Sequence, residues 1–408
     1  MTSPTGDASV AAQPSDQIDV SDPRNEPSPY GGWSEEIITV PNGIVVPPVI
    51  SDMVQAAGVL YEDGSYCPQG ALWRRYRPIT IAPDKPEKVS QHIQGRWLWG
   101  GVLWAHFGHF LVESSSRLWA LAYLKEQVDG VLFVPKRPKV GDQIRGFHRE
   151  FVDLFAGSLP IRVAVEPTEV EELVVPGQGF GLGKITEATP KFRNAVHSSF
   201  ARKIQPDGPE KIYISRSKLG LRKGGLLGEE QLEDMLRGEG YVIFHPQDHS
   251  LSEQLAHYKA AKKIIAADGS ALHLFSMVGR PDQQVAIVLR RTMGAHTLLA
   301  TNVAHFCKND PLVIGGLRTE WVPAKDARSS RLSFGELNHA VIGRALADAG
   351  FVTGGETWSA LDDDTRAKIL HQKGLTGENG FVESPEFVRR RRRDQRRARR
   401  AARDAAVS

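Results

Sequence analysis

The chain has little of what would commit it to a disulfide framework, a metal cluster or a bilayer. Its 408 residues hold two cysteines, Cys67 and Cys307, far apart in the sequence. Two such thiols build neither a disulfide scaffold nor a metal site, and they suit a reducing compartment, so the cytoplasm is the expected location. No apolar run is long enough to span a bilayer. Residues 1–32 are polar, rich in Pro, Ser and Asp, and lack the apolar core of a signal peptide, so they read as a disordered tail. No His/Cys spacing suggests zinc, and no repeat of fixed period appears.

What is present is ordinary for a globular protein, with 41% hydrophobic and 24% charged residues. The net charge of +3 conceals an asymmetry. Residues 389–408 carry ten Arg and two Asp, which leaves the rest of the chain mildly acidic. The body therefore gives no reason to expect specific nucleic-acid binding. The tail suits contact with an anionic membrane, at most peripheral because it has no apolar face.

Between residues 211 and 290, short β-branched runs alternate with helical periods. Strands are expected at Ile212–Ser215, Tyr241–Phe244, Ile264–Ala267 and Val285–Leu289. Helices are expected at Glu229–Arg237, Leu251–Lys262 and Ala271–Met277. This alternation predicts βαβ units and a parallel sheet. Such sheets bind ligands beyond the carboxyl ends of their strands, which here carry Ser215-Arg216-Ser217-Lys218 and Asp268-Gly269-Ser270. The first half is also α/β, with helices at His106–Leu124, Ile144–Phe155 and Lys191–Ile204. Strands fall at Ile37–Val40, Ile44–Val49, Val131–Val134, Ile161–Val165 and Leu173–Val175. Trp97–Trp104 reads as a buried connection and Gly177–Gly183 as a glycine-rich loop. The break at Gln205-Pro206-Asp207-Gly208-Pro209 is the best domain boundary. Beyond Leu289, edge strands are expected at Leu312–Ile314 and Trp321–Val322, and an amphipathic helix at Phe334–Ala349. The organisation expected is a tail at 1–32, α/β domains at 33–205 and 206–330, a helical extension at 331–383 and a basic tail at 384–408.

Four pieces, in order, resemble glycosyltransferase family 61. They are His106-Phe107-Gly108-His109-Phe110-Leu111-Val112-Glu113, Tyr213-Ile214-Ser215-Arg216, Ser250-Leu251-Ser252-Glu253-Gln254 and Asp268-Gly269-Ser270-Ala271-Leu272-His273-Leu274. The chain departs from the family pattern at Gly228 (usually Asn), Asp268 (usually His) and Leu274 (usually Asn). The resemblance implies two Rossmann-like domains facing a cleft (the GT-B architecture) and inverting transfer without a metal or cofactor. The donor would be a nucleotide-sugar and the acceptor a glycan or lipid-linked glycan, in surface polysaccharide biosynthesis at the inner face of the membrane. Polysaccharide pyruvyl transfer and an inactive nucleotide-sugar- or glycan-binding homologue are the alternatives.

The residues give these expectations chemical content. His109 and Glu113 stand four apart on one helix, as either a catalytic base with its partner or a structural pair; the residues do not decide which would be the base. Arg216, leaving a parallel strand, can clamp a diphosphate, with Lys218 and Arg222 adding positive charge. Gly269 and Ser270 open a helix whose free N–H groups attract phosphate, while Asp268 caps that helix or binds a hydroxyl. Ser250 and Glu253 have capping-box spacing, although Glu253 could also bind ribose. His245 ends a strand at the same edge, where it could contact a base or sugar. Asp362-Asp363-Asp364 precedes a helical stretch, which suits a helix start better than a metal site.

Overall fold

In the computed structural model, the described residues are 27–405, apart from 31, 184, 221, 222, 293 and 376–379. The N-terminal tail expected at 1–32 lies almost wholly outside them. The chain divides into two compact units, residues 1–205 with 276–278, and residues 206–275 with 279–408.

The first unit is built on a six-stranded mixed sheet. Its strands are β1 (Ile37–Val46), β2 (Gly58–Leu60), β3 (Gln91–Leu103), β4 (Gly130–Pro135), β5 (Ile161–Val163) and β6 (Thr168–Pro176), in the order β2-β1-β6-β3-β4-β5. β6, β3, β4 and β5 run parallel, whereas β1 pairs antiparallel with both β6 and β2. This is α/β, but its mixed sheet departs from the doubly wound pattern expected. Val40, Val59, Trp97, Trp99, Leu132 and Val170 form its core.

Expected features of this unit change: the strands expected at Ile37–Val40 and Ile44–Val49 are the single strand β1, and the glycine-rich loop Gly177–Gly183 contains a short strand, Phe180–Leu182. The stretch read as a connection, Trp97–Trp104, mostly belongs to the 13-residue strand β3, fully buried from Trp97 to Leu103. A strand buried on both faces shows no alternation, and two glycines interrupt its pattern. Those glycines have a reason. The register shifts between Trp99 and Gly101, and a Cβ on Gly100 would lie 2.4 Å from the Phe133 ring. The single helix expected over His106–Leu124 is instead α1 (Phe107–Val112) followed by a 3-10 segment, Ser114–Ala122. Serine hydroxyls compete with the helical ladder here: Ser114 donates to the Val102 carbonyl and Ser115 to that of Leu111, each at 2.7 Å. Helices α2 (Gly146–Ala156) and α3 (Pro190–Ser198) complete the described α-helices of this unit.

The second unit holds a five-stranded, fully parallel sheet. β7 (Lys211–Ile214), β9 (Val242–Phe244), β10 (Lys263–Ala267), β11 (Gln284–Val288) and β12 (Leu312–Ile314) lie in the order β9-β7-β10-β11-β12. By chain order this is 2-1-3-4-5, a doubly wound sheet whose direction of growth reverses between β7 and β10. Helices α4 (Glu229–Gly238), α5 (Leu251–Ala260) and α6 (Ala271–Ser276) lie where the alternation predicts helices, and α7 (Ala295–Cys307) is a helix that the sequence reading did not expect. A second sheet joins β8 (Gly225–Leu227), β13 (Leu317–Pro323), β14 (Phe334–Leu337) and β15 (Phe381–Glu383) in the order β8-β14-β13-β15. The helix expected over Phe334–Ala349 thus begins as buried strand β14, and α8 (His339–Asp348) starts only after Asn338, whose side chain caps it. Asp362 accepts from the Thr365 N–H at 2.8 Å and caps α9 (Asp363–Gln372). The basic tail is a helix, α10 (Pro385–Ala405), whose Arg391 forms a bidentate pair with Glu383 on β15.

Candidate active site

In the second unit the topological switch point falls between the carboxyl ends of β7 and β10, where crossovers leave on opposite faces and open a crevice. Arg216 follows β7, and Asp268 and Gly269 follow β10. A Cβ on Gly269 would lie 2.7 Å from Arg216 Nη1, so only glycine lets the guanidinium lie against this turn. Ser270 opens the short helix α6 and is half-buried.

Arg216 is not alone. Arg290 and Arg291, just past β11, bear on the same place. Burial and then the charge of Arg290 pull the Arg216 pKa down to about 10. Arg291 is lowered too, first by burial and then by Arg290. Asp268 is the carboxylate among them. It is fully buried, with Oδ1 2.6 Å from Arg290 Nε and 3.9 Å from Arg291 Nε. Its place is therefore beneath the turn, holding Arg290, rather than at an exposed helix cap. Arg216 Nε and Arg291 Nε make no hydrogen bond among the described residues. Among the described residues the switch point thus gathers three guanidiniums, with Asp268 paired to Arg290, and with Glu229 and Glu320 acting on Arg216 and Arg291 respectively.

Behind Arg216 lies a second buried acid. Glu229 opens α4 after Gly228, which takes the left-handed backbone at φ 84°. Its Oε1 accepts from the Tyr213 hydroxyl at 2.9 Å and from the Arg216 N–H at 2.8 Å. These donors are neutral, and burial raises its pKa to about 7. Glu229 therefore fixes the backbone from which Arg216 projects. Gly228, where the family pattern has Asn, meets His339, whose Nε2 lies 2.7 Å from the Gly228 carbonyl.

Other expected donor residues are placed differently. Lys218 reaches Asp248 at 3.1 Å in an exposed pair. Lys218 and His245 line an open groove of about 730 Å³ together with Glu233, Arg237 and Tyr241. Burial lowers the His245 pKa. Glu253 completes the capping box with Ser250, accepting from its N–H at 2.8 Å and its hydroxyl at 2.9 Å. Those two hydrogen bonds hold the exposed carboxyl below its usual range. Arg222 lies outside the described residues.

The first unit contains the other candidate. Glu113, at the end of α1, is buried, and Arg74 binds it bidentately, Nε to Oε1 at 2.6 Å and Nη2 to Oε2 at 2.8 Å. His109 Nδ1 lies 2.8 Å from the same Oε2. Burial alone would raise this carboxyl, but hydrogen bonds from His109 and Arg74 and the Arg74 charge hold it below its usual range. The His109 ring stacks on Trp104 with centroids 4.6 Å apart and remains partly exposed. An ionised Glu113 can only accept, so Nδ1 of His109 is the donor in this pair. Arg117 is not part of this face. It is buried and donates to the carbonyls of Pro176 and Ala71.

Arg74, Trp104, Arg290 and Arg291 were not among the expected site residues. Arg290-Arg291 could have been found, because the pair follows an expected strand whose carboxyl end faces the crevice. Nothing in the sequence ties Arg74 to Glu113.

The described residues thus give an α/β protein with three guanidiniums at a parallel-sheet switch point in one unit and a buried carboxylate–histidine pair in the other. Residues 107–285 match the family model described as Glycosyltransferase 61, in line with the resemblance of the motifs. No curated protein matches the chain.

Proposed function

We propose that this protein transfers a sugar from a nucleotide-sugar to a carbohydrate acceptor, with inversion and without a metal, in surface polysaccharide biosynthesis. The observation that carries the reading is the arginine cluster at the switch point. Arg216, Arg290 and Arg291 supply fixed positive charge for a leaving nucleoside diphosphate, and Gly269 lets a phosphate approach the backbone. Inversion and metal independence rest on the family resemblance. In the transfer step, an acceptor hydroxyl oxygen bonds to the anomeric carbon as the bond to the diphosphate oxygen breaks. The hydroxyl proton passes to His109 Nε2. Glu113 is then a positioning residue, because Arg74 and His109 already occupy both of its oxygens.

The test is a thermal-shift screen of the full chain against UDP, GDP, CMP and their sugars, with and without EDTA. One diphosphate family is expected to raise the melting temperature, EDTA to leave the shift intact, and Arg216→Ala to weaken binding about 10- to 100-fold. A shift that requires a divalent ion overturns metal independence. No shift with any nucleotide overturns the donor site.

A further inference from the structure

Three segments of the first unit form one exposed surface that is both apolar and cationic. The first is residues 49–54, where Val49, Ile50, Met53 and Val54 are between 40% and 88% exposed. The second is the hairpin of Trp73–Arg74 and Arg77–Pro78, with Arg75 and Tyr76 at its tip and Tyr76 66% exposed. The third begins at Lys136 and includes exposed Arg137 and Lys139. They are fastened together. Gln55–Ala56 pairs with Thr80–Ile81 just beyond the hairpin. Lys136 Nζ donates to the carbonyls of Asp52 and Met53 at 2.8 and 3.0 Å, and Gln55 donates to the Lys136 carbonyl at 3.0 Å.

The charge on this surface is one-sided. Its exposed cations are Arg75, Arg77, Arg137 and Lys139, against Asp52 in the same segments, whereas Arg74 is paired with Glu113 and Lys136 is buried, and the body outside the tail is net acidic. Scattered exposed apolar residues are normal, but a cluster of them ringed by cations is the signature of a surface that enters a lipid headgroup layer. A water-soluble protein partner would leave the cations to be matched one by one, whereas an anionic lipid surface neutralises them collectively while the apolar residues reach the acyl boundary.

We propose that this surface docks the first unit on an anionic lipid bilayer. The arrangement reaches the candidate base as well: Arg74 donates to Met53 Sδ at 3.5 Å and also binds Glu113, the partner of His109. Docking therefore sets His109 beside the headgroup layer, where a lipid-linked acceptor presents its hydroxyl. Only this last consequence rests on the transferase reading. Docking itself does not.

The experiment is co-sedimentation of the full chain with vesicles of phosphatidylcholine alone and of phosphatidylcholine with phosphatidylglycerol. Binding to the anionic vesicles is expected, weakened at high salt. Neutralising the hairpin cations with Arg75→Gln and Arg77→Gln should reduce it about 5-fold per charge. Ile50→Asp with Met53→Asp should abolish it, and Tyr76→Ser, a milder change at the exposed tip, should weaken it with the melting temperature unchanged. A parallel variant with Arg396, Arg397, Arg399 and Arg400 changed to Gln removes charge from α10. Binding lost only in that variant makes the tail the anchor and overturns the proposal. Absence of binding by the unaltered chain overturns it too. So does concentration-dependent self-association that Ile50→Asp abolishes without any vesicle binding, because the surface would then join two copies of this chain. Nucleotide-induced thermal shifts, measured on the same variants, separate failure of docking from failure of the donor site.

Discussion

Glu113 and Glu229 are the same residue type, equally buried, one in each unit, and their pKa values move in opposite directions. Glu113 is held below the usual carboxylate range, whereas Glu229 is raised to about 7. Burial pushes both upward. The difference lies in the donors. Glu113 receives a bidentate guanidinium from Arg74 as well as His109 Nδ1. Glu229 receives a phenol, a serine hydroxyl at 3.4 Å and a backbone N–H, while Arg216 donates to it only through its main chain. At Glu113 the hydrogen bonds from His109 and Arg74, with the Arg74 charge, outweigh desolvation, and at Glu229 the neutral donors do not. The first acid is therefore a fixed anion that orients a histidine. The second is a proton-holding strut beneath Arg216.

Removing His109 gives the largest separation of the two regions. His109→Ala should lower turnover about 100- to 10,000-fold while leaving the nucleotide-induced thermal shift intact. A loss of nucleotide binding in that variant would tie the histidine to donor binding instead. Next is the charge opposite Glu113. Arg74→Met leaves a buried carboxylate with only His109, and should cost about 3–5 kcal/mol of stability at pH 8 by denaturant unfolding. The loss should shrink as pH falls and Glu113 takes up a proton. A cost below about 1 kcal/mol would mean that Arg74 does not set the state of Glu113.

Glu229 carries the opposite pH signature. Its folded pKa is about 7 against an ordinary 4.5, so between those values the native state holds a proton that the unfolded chain has released. Its contribution to stability is thus full below pH 4.5, falls as pH rises to 7, and is flat above. The span is about 3 kcal/mol. Glu229→Gln should flatten that part of the stability profile, since the amide oxygen still accepts from Tyr213 and Arg216. An unchanged profile would show that another group titrates there. The smallest effect is expected at Glu253→Ala, a slight loss of stability by denaturant unfolding from removal of the capping box. Donor affinity should not move, and a drop would restore the ribose-binding role to Glu253.

The two units also differ in how much of them can be read from sequence. In the second, short β-branched runs separated by amphipathic helices declare each element of the parallel sheet from β7 to β11. In the first, β3 is buried on both faces and interrupted by Gly100 and Gly101, so neither alternation nor length marks it as a strand. The serine run after Glu113 shortened a helix that periodicity would extend to Leu124. Local patterns report which backbone state a segment prefers. They do not report which distant carbonyl a serine hydroxyl will find.

The sequence by itself therefore determined the α/β alternation after Lys211, the two loops that carry Arg216 and Gly269, the capping box at Ser250 and the closeness of His109 to Glu113. All of these are set by spacing within a single element or across one turn. Only the tertiary structure decided the strand order, which brings the ends of β7 and β10 side by side. It alone brought Arg74 to Glu113 across 39 positions, set Arg290 on Asp268, and left Glu229 without a guanidinium. The physical reason is that a charge's environment is set by neighbours distant in the chain, so the same glutamate can be an anion in one unit and hold its proton to about pH 7 in the other.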